Sequence, residues 1–140
     1  MPHSIVFDSR NRLYVADRSN AQVQVFEASG RFLAEWRNLV VPWGIWITKS
    51  DEIYVCGSSP MRWASQGRLG TPPKDQILLK FSPSGRVLEH WTFPLGELGK
   101  LGKEQAGELN WVHAVAVDSR GQVYLGDIKG QRVQRMVRLN

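Results

Sequence analysis

The sequence predicts an all-β fold built from a repeated unit of four short strands. Two separate segments recur in the same order, the recurring segments are rich in Val, Ile, Tyr and Phe, and polar turns separate them. Helical periodicity is absent from the 140 residues. A repeated antiparallel unit of four strands and about forty residues is typical of a blade of a β-propeller.

The first recurring segment covers residues 2–17 and returns at 112–127. A weaker middle copy starts at Pro42 and is interpreted as one residue shorter. The second recurring segment covers residues 25–36 and returns at 80–91. Two matches in one order indicate internal duplication, because chance similarity does not preserve order.

Each copy divides into four strands joined by turns. The turns contain Gly30, Gly85 and Gly121, at positions where a positive φ costs glycine little. The strands predicted for the first copy are Ser4–Phe7, Leu13–Ala16, Val23–Glu27 and Phe32–Trp36.

We expect one domain over residues 1–140, a partial propeller of about three blades. The predicted segments are blade 1 (about 2–38), blade 2 (about 42–93, with a loop at 58–75), a loop (94–110) and an incomplete blade 3 (about 111–140). Closed propellers need roughly four to eight blades. The sequence therefore favours a part of a longer propeller over a protomer that closes a ring as a homodimer.

Composition narrows the class of protein. Hydrophobic residues make up 42% of the chain and six are Trp, which excludes an intrinsically disordered chain. No apolar run is long enough to predict a membrane span, and the first four residues lack a signal-peptide pattern. The single Cys56 predicts no internal disulfide, and the formal net charge of +5 permits an anionic partner. The cellular location is not predicted.

Two of the three histidines lie at matching positions. His3 and His113 each open the first strand of a blade, where the middle copy is interpreted to carry Gly44. Innermost strands of a propeller line a common channel, so two imidazoles there could bind zinc. The alternative is a pair of polar channel residues that bond water. Arg18 follows the second strand and could hold a substrate carboxylate, or form a salt bridge with Asp17.

The other polar and reactive residues have structural interpretations. Asp8 and Asp118 are interpreted as turn-forming aspartates, and Asp17 and Asp127 as their counterparts at strand ends. Cys56 is expected to be a buried thiol, and His90 a surface residue. Packing between blades is expected of the tryptophans, which are Trp36, Trp43, Trp46, Trp63, Trp91 and Trp111.

The blade pattern resembles the NHL repeat, and more specifically the peptidyl-α-hydroxyglycine α-amidating lyases. The segments that carry the resemblance are Pro2-His3-Ser4, Val15-Ala16-Asp17-Arg18-Ser19-Asn20, Trp111-Val112-His113 and Val123-Tyr124-Leu125-Gly126-Asp127. This resemblance implies the C-terminal half of a six-bladed propeller. In that family three histidines hold zinc, and the enzyme releases glyoxylate from a C-terminal α-hydroxyglycine.

Carried over by position, the resemblance makes His3 and His113 zinc ligands and Arg18 a catalytic residue. The family's third histidine, its catalytic tyrosine, a second arginine and a structural calcium site belong to the half that this chain lacks. Ala114 stands where the family usually has aspartate.

The sequence leaves three functions open. The main expectation is a zinc-dependent lyase acting on a peptide or small molecule at the channel. The alternative is a non-catalytic NHL-repeat scaffold that binds a protein partner. Nucleic-acid binding ranks last, because the loops with the basic residues lack a regular pattern of aromatic side chains and the net charge of +5 is modest. These residues are Arg62, Arg68, Lys74, Lys100 and Lys103.

Overall fold

The computed structural model describes residues 1–60, 75–96 and 105–137 of the chain. Within these ranges the chain forms eleven strands and one short 3-10 turn, Arg18–Asn20. The strands are β1 (Pro2–Phe7), β2 (Leu13–Asp17), β3 (Gln22–Phe26), β4 (Phe32–Arg37), β5 (Val41–Ile47), β6 (Ile53–Ser58), β7 (Gln76–Phe81), β8 (Val87–Phe93), β9 (Val112–Val117), β10 (Val123–Asp127) and β11 (Arg132–Met136).

The strands form three antiparallel sheets in chain order. Sheet 1 contains β1 to β4 and sheet 2 contains β5 to β8, while sheet 3 has β9 to β11 within the described residues. The first strands of the sheets contact one another, with β5 between β1 and β9. In a propeller the blades pack around a common axis with their first strands innermost, and these contacts show that arrangement. The predicted all-β, partial propeller fold is therefore confirmed.

The strands predicted for the first copy agree with sheet 1 to within two residues at each end. The largest difference is at the start of β1, which begins at Pro2 instead of Ser4. The pairing of β1 with β2 is interrupted at His3, but it continues on the other side because Pro2 lies opposite Asp17. The strand therefore extends to Pro2. A β-bulge of this kind leaves one residue unpaired and bends the strand.

The same bulge recurs in the first strand of every sheet. The residues paired on either side of it are Pro2 and Ser4 in β1, Pro42 and Gly44 in β5, and Val112 and Ala114 in β9. The unpaired residue is therefore His3 in β1, Trp43 in β5 and His113 in β9.

This register corrects one sequence interpretation. Trp43, and not Gly44, is the residue of the middle copy that corresponds to the two histidines. The middle copy is also not shorter. Pro42 pairs with Gly57 and Pro2 pairs with Asp17, and the two residues of each pair are fifteen positions apart. Gly44 instead corresponds to Ser4, which pairs within its sheet on the far side of the bulge.

Apolar side chains fill the spaces between successive sheets. Between sheets 1 and 2, Trp36 is 7% exposed and stacks on Phe81 with ring centroids 5.0 Å apart. Between sheets 2 and 3, the buried cluster includes Leu78 and Leu125, and Trp91 packs against it. Packing between blades is thus confirmed for Trp36 and Trp91, whereas Trp46 is 38% exposed.

Aspartates and positive-φ residues shape the turns as predicted. The Asp8 carboxylate accepts hydrogen bonds from the backbone N–H groups of Arg10 and Arg12, at 2.9 and 2.8 Å. Asp118 accepts two equivalent bonds in sheet 3. Gly30, Gly85 and Gly121 have φ of 88°, 85° and 78°, which confirms their interpretation as turn glycines.

The two predicted loops lie mostly outside the described residues. β6 ends at Ser58 and β7 begins at Gln76, and residues 61–74 and 97–104 are not described. Trp63 lies in these undescribed segments, and so do the five basic residues on which the nucleic-acid hypothesis rests. In the described part of the chain, no helix has the length and apolar character needed to cross a membrane.

Candidate functional site

The three bulge residues meet at the inner strands. The ring centroids of His3 and His113 are 4.7 Å apart, and each lies 5.2 Å from the ring of Trp43. The sequence predicted that the two histidines would project toward a common axis, and the structure brings them together. We call His3, Arg18, Trp43 and His113 the inner-strand cluster.

Trp43 forms the floor of this cluster. Its side chain is 1% exposed, and the Trp111 ring packs edge-on against it at 5.0 Å. The neighbouring Gly44 lets β9 approach, because a Cβ at this position would lie 2.9 Å from the carbonyl oxygen of His113. Close backbone packing at Gly44 therefore lets β9, the strand that carries His113, lie directly against β5.

Arg18 reaches the cluster from the 3-10 turn that follows β2. This turn closes at Ala21, whose left-handed backbone lets its N–H donate to the Arg18 carbonyl. The guanidinium carbon lies 4.0 Å from the centre of the Trp43 ring, and Nη1 lies 3.1 Å from Nε2 of His3. Arg18 is 5% exposed, so a cation–π contact and a hydrogen bond hold a nearly buried charge.

The electrostatics of the cluster favour neutral histidines. Burial and the charge of Arg18 lower the pKa of His3 below its usual value. Burial, His3 and Arg18 likewise lower the pKa of His113. Both imidazoles are therefore neutral near pH 7, and His3 Nε2 can accept the hydrogen bond that Arg18 donates. Arg18 supplies the positive charge of the cluster.

A small cavity lies beside the histidines. Its volume is about 140 Å³, and His3, Trp43, His113 and Ala114 are among its lining residues. A space of this size accommodates a small terminal group, such as a carboxylate with its neighbouring atoms. It is too small to enclose a drug-sized ligand, for which pockets of roughly 300 Å³ or more are usual.

The residues present provide two of the ligands that a zinc site needs. Zinc sites in proteins use at least three protein ligands, commonly His, Cys, Asp or Glu. In the described ranges no three such side chains are grouped so that they could hold a metal ion. At the third equivalent position stands Trp43, whose indole is not a metal ligand. The described residues of one chain therefore do not complete a zinc site.

Two buried polar side chains fix the strand that carries His113. The Asp127 carboxylate accepts hydrogen bonds from the backbone N–H groups of Asn110 and Trp111, both at 2.8 Å. The side-chain oxygen of Gln76, from sheet 2, accepts a hydrogen bond from Val112 N at 2.6 Å. The predicted strand-end role of Asp127 is thus confirmed, and it orients the start of β9.

A larger cavity of about 410 Å³ lies between sheets 2 and 3, away from the cluster. Its charged groups pair with one another, since Lys80 Nζ lies 2.6 Å from Glu52 and 3.4 Å from Glu89. Aromatic and aliphatic residues such as Trp91 and Leu78 line the rest of its wall. Because its ionic groups already pair with one another, we favour the inner-strand cluster as the candidate site.

Sequence reasoning placed three of the four cluster residues and missed Trp43. The missing signal was a gap-free alignment of the copies, in which Trp43 follows Pro42 as His3 follows Pro2. Other assignments hold: Cys56 is fully buried, and His90 is exposed on β8.

Comparisons with known proteins agree with the repeat. Residues 1–26 match the family model of the NHL repeat. NHL repeat-containing protein 3 of Homo sapiens is 29% identical over 142 residues, which cover 100% of this chain and 36% of that protein. The protein of the same name from Mus musculus is 25% identical and covers 98% and 35% of the two chains. The chain thus spans about a third of the length of these curated relatives.

Solved structures share the fold. A virginiamycin B lyase from Staphylococcus aureus has a TM-score of 0.60 at 10% identity, over 97% of this chain and 38% of that one. A protein of unknown function from Bacteroides caccae has a TM-score of 0.60 at 12% identity, over 91% and 39% of the two chains. At these identities the likeness concerns the fold alone. The chain therefore matches the NHL repeat over residues 1–26 and is similar to NHL repeat-containing proteins along its whole length, on a propeller-like fold.

Proposed function

We propose that the chain is part of an NHL-type propeller that acts as a non-catalytic interaction scaffold. In this proposal the inner-strand cluster binds the carboxylate end of a peptide or protein partner. The observation that carries it is the buried guanidinium of Arg18, held against Trp43 and hydrogen-bonded to His3, which itself lines the small cavity together with Trp43 and His113.

The chemistry of the cluster supports an anionic ligand. A guanidinium can bind a carboxylate through two parallel N–H bonds, and such charge-assisted bonds are stronger than neutral ones. The positive charge of Arg18 already acts on both histidines, since it lowers their pKa values. The flat indole of Trp43 fixes the guanidinium plane, which reduces the entropy lost on binding.

A matched pair of peptides tests the scaffold proposal. We expect acetyl-Phe-Gly with a free carboxylate to bind at least about tenfold more tightly than its C-terminal amide, as measured by titration calorimetry. Arg18→Gln should abolish this preference, whereas the exposed control Arg10→Gln should keep it. Equal binding of the two peptides, or a preference that survives Arg18→Gln, would contradict the proposal.

A second candidate, a zinc-dependent amidating lyase, is favoured by one observation. His3 and His113 are neutral and their ring centroids are 4.7 Å apart, so two nitrogen ligands could share one metal ion. Any further ligand would have to come from outside the described residues of this chain. Under the family resemblance, Arg18 would bind the substrate and the metal ion would bind the hydroxyl group of the substrate.

Metal content and product release separate the two candidates. For a lyase we expect zinc to remain after dialysis and glyoxylate to appear from a peptide ending in α-hydroxyglycine. His3→Ala and His113→Ala should each lose the metal, while the exposed His90→Ala keeps it. A chain that retains no zinc and releases no glyoxylate would remove the lyase candidate for this chain by itself and leave the scaffold.

A further inference from the structure

The bulges bring a second set of residues to the small cavity beside the histidines. In a regular strand, consecutive side chains point to opposite faces of the sheet. Each bulge instead lets two consecutive residues line this cavity of about 140 Å³. These pairs are His3 and Ser4 on β1, Trp43 and Gly44 on β5, and His113 and Ala114 on β9. We call Ser4, Gly44 and Ala114 the post-bulge ring.

Ser4 is the member of the post-bulge ring that has a polar side chain. A Cβ at Gly44 would collide with the backbone of β9, and Ala114 contributes only a methyl group. Ser4 pairs with Ala16 and Ala114 pairs with Gly126, at the same place in the two sheets. The strand pairing of the repeat therefore needs no hydroxyl at this position, and it does not explain why β1 carries one.

The Ser4 hydroxyl is available to a ligand. Ser4 is half-buried, and among the residues that the structure describes its hydroxyl forms no hydrogen bond with another protein group. A serine hydroxyl can rotate to direct its hydrogen at an acceptor. Ser4 also follows His3, whose Nε2 lies 3.1 Å from Nη1 of Arg18. The free hydroxyl and the guanidinium therefore both belong to sheet 1 and flank the same histidine.

We infer that Ser4 is a specificity-determining residue of the carboxylate site, and that its hydroxyl donates a hydrogen bond to the carboxylate oxygen that enters the cavity. This inference rests on the proposed function and adds a second donor to Arg18. A hydrogen bond to a carboxylate is shorter and stronger than one to a neutral group. Ser4 should therefore contribute to the preference for a free carboxylate over an amide.

Titration calorimetry with acetyl-Phe-Gly and its C-terminal amide tests this role. Ser4→Ala should weaken binding of the acid at least about fivefold and binding of the amide less than about twofold. Ser4→Thr keeps the hydroxyl and should bind the acid as the wild-type chain does. Ser119→Ala is the matched control, because Ser119 is exposed in the turn between β9 and β10. If circular dichroism shows that Ser4→Ala misfolds, Ser4→Gly replaces it, since β5 carries glycine at this position.

The outcomes separate this inference from the proposed function. A carboxylate preference that Arg18→Gln abolishes but Ser4→Ala leaves unchanged would overturn the role of Ser4 and keep the scaffold proposal. A wild-type chain that binds the two peptides equally would overturn both. Equal losses for the acid and the amide in Ser4→Ala, or a loss that Ser4→Thr does not restore, would mean that Ser4 acts only through the structure of β1.

Discussion

Trp43 decides what the inner-strand cluster can bind. It occupies the one bulge position of the three that lacks an imidazole, and it lies 5.2 Å from each histidine ring. We therefore predict that Trp43→His creates a third nitrogen ligand and tightens zinc binding at least about tenfold over the wild-type chain. Competition with a chromophoric chelator measures this change.

The control for this prediction lies on the same strand. Trp46 pairs with Tyr54 inside the regular part of β5 and is 38% exposed, so Trp46→His places an imidazole away from the cluster. This variant should bind zinc no better than the wild-type chain. Equal zinc affinity in the two variants would show that the bulge positions do not converge as the ring distances indicate.

Burial controls the chemistry of the single thiol. Cys56 is 0% exposed, and burial raises its pKa to about 12. Since the thiolate is the reactive form, the native chain should react with a disulfide reagent at pH 8 only as fast as it opens. Labelling should accelerate steeply with urea. Complete labelling of the folded chain within the mixing time would contradict the buried position.

Among the elements, the hairpin turns of sheets 1 and 2 form a natural comparison. Gly30 and Gly85 have nearly the same φ, 88° and 85°, at equivalent turns. A Cβ at Gly30 would meet nothing within 4 Å, whereas a Cβ at Gly85 would collide with the indole of Trp36. The two turns therefore share a backbone conformation but differ in surroundings: the Gly30 turn has open space beside it, whereas the Gly85 turn of sheet 2 packs against Trp36 of sheet 1.

Alanine substitutions should separate backbone strain from packing between blades. Gly30→Ala should lower the free energy of unfolding by about 1–2 kcal/mol, the cost of a left-handed alanine. Gly85→Ala should lower it by at least about 1 kcal/mol more, because the added methyl displaces Trp36 from its stack on Phe81. Urea unfolding followed by tryptophan fluorescence measures both. Equal losses would mean that the Trp36 contact adds nothing.

At the scale of the whole molecule, the sequence predicted what repeats locally and missed what depends on contacts between sheets. Strand alternation and turn residues are local, so the sheets and the convergence of His3 and His113 could be inferred. Trp43 was missed because the middle copy was aligned as one residue short, which placed Gly44 opposite the histidines, although the bulge lies at the same position in all three sheets. The stacking of Arg18 on Trp43 joins sheets 1 and 2, and no sequence spacing encodes that distance.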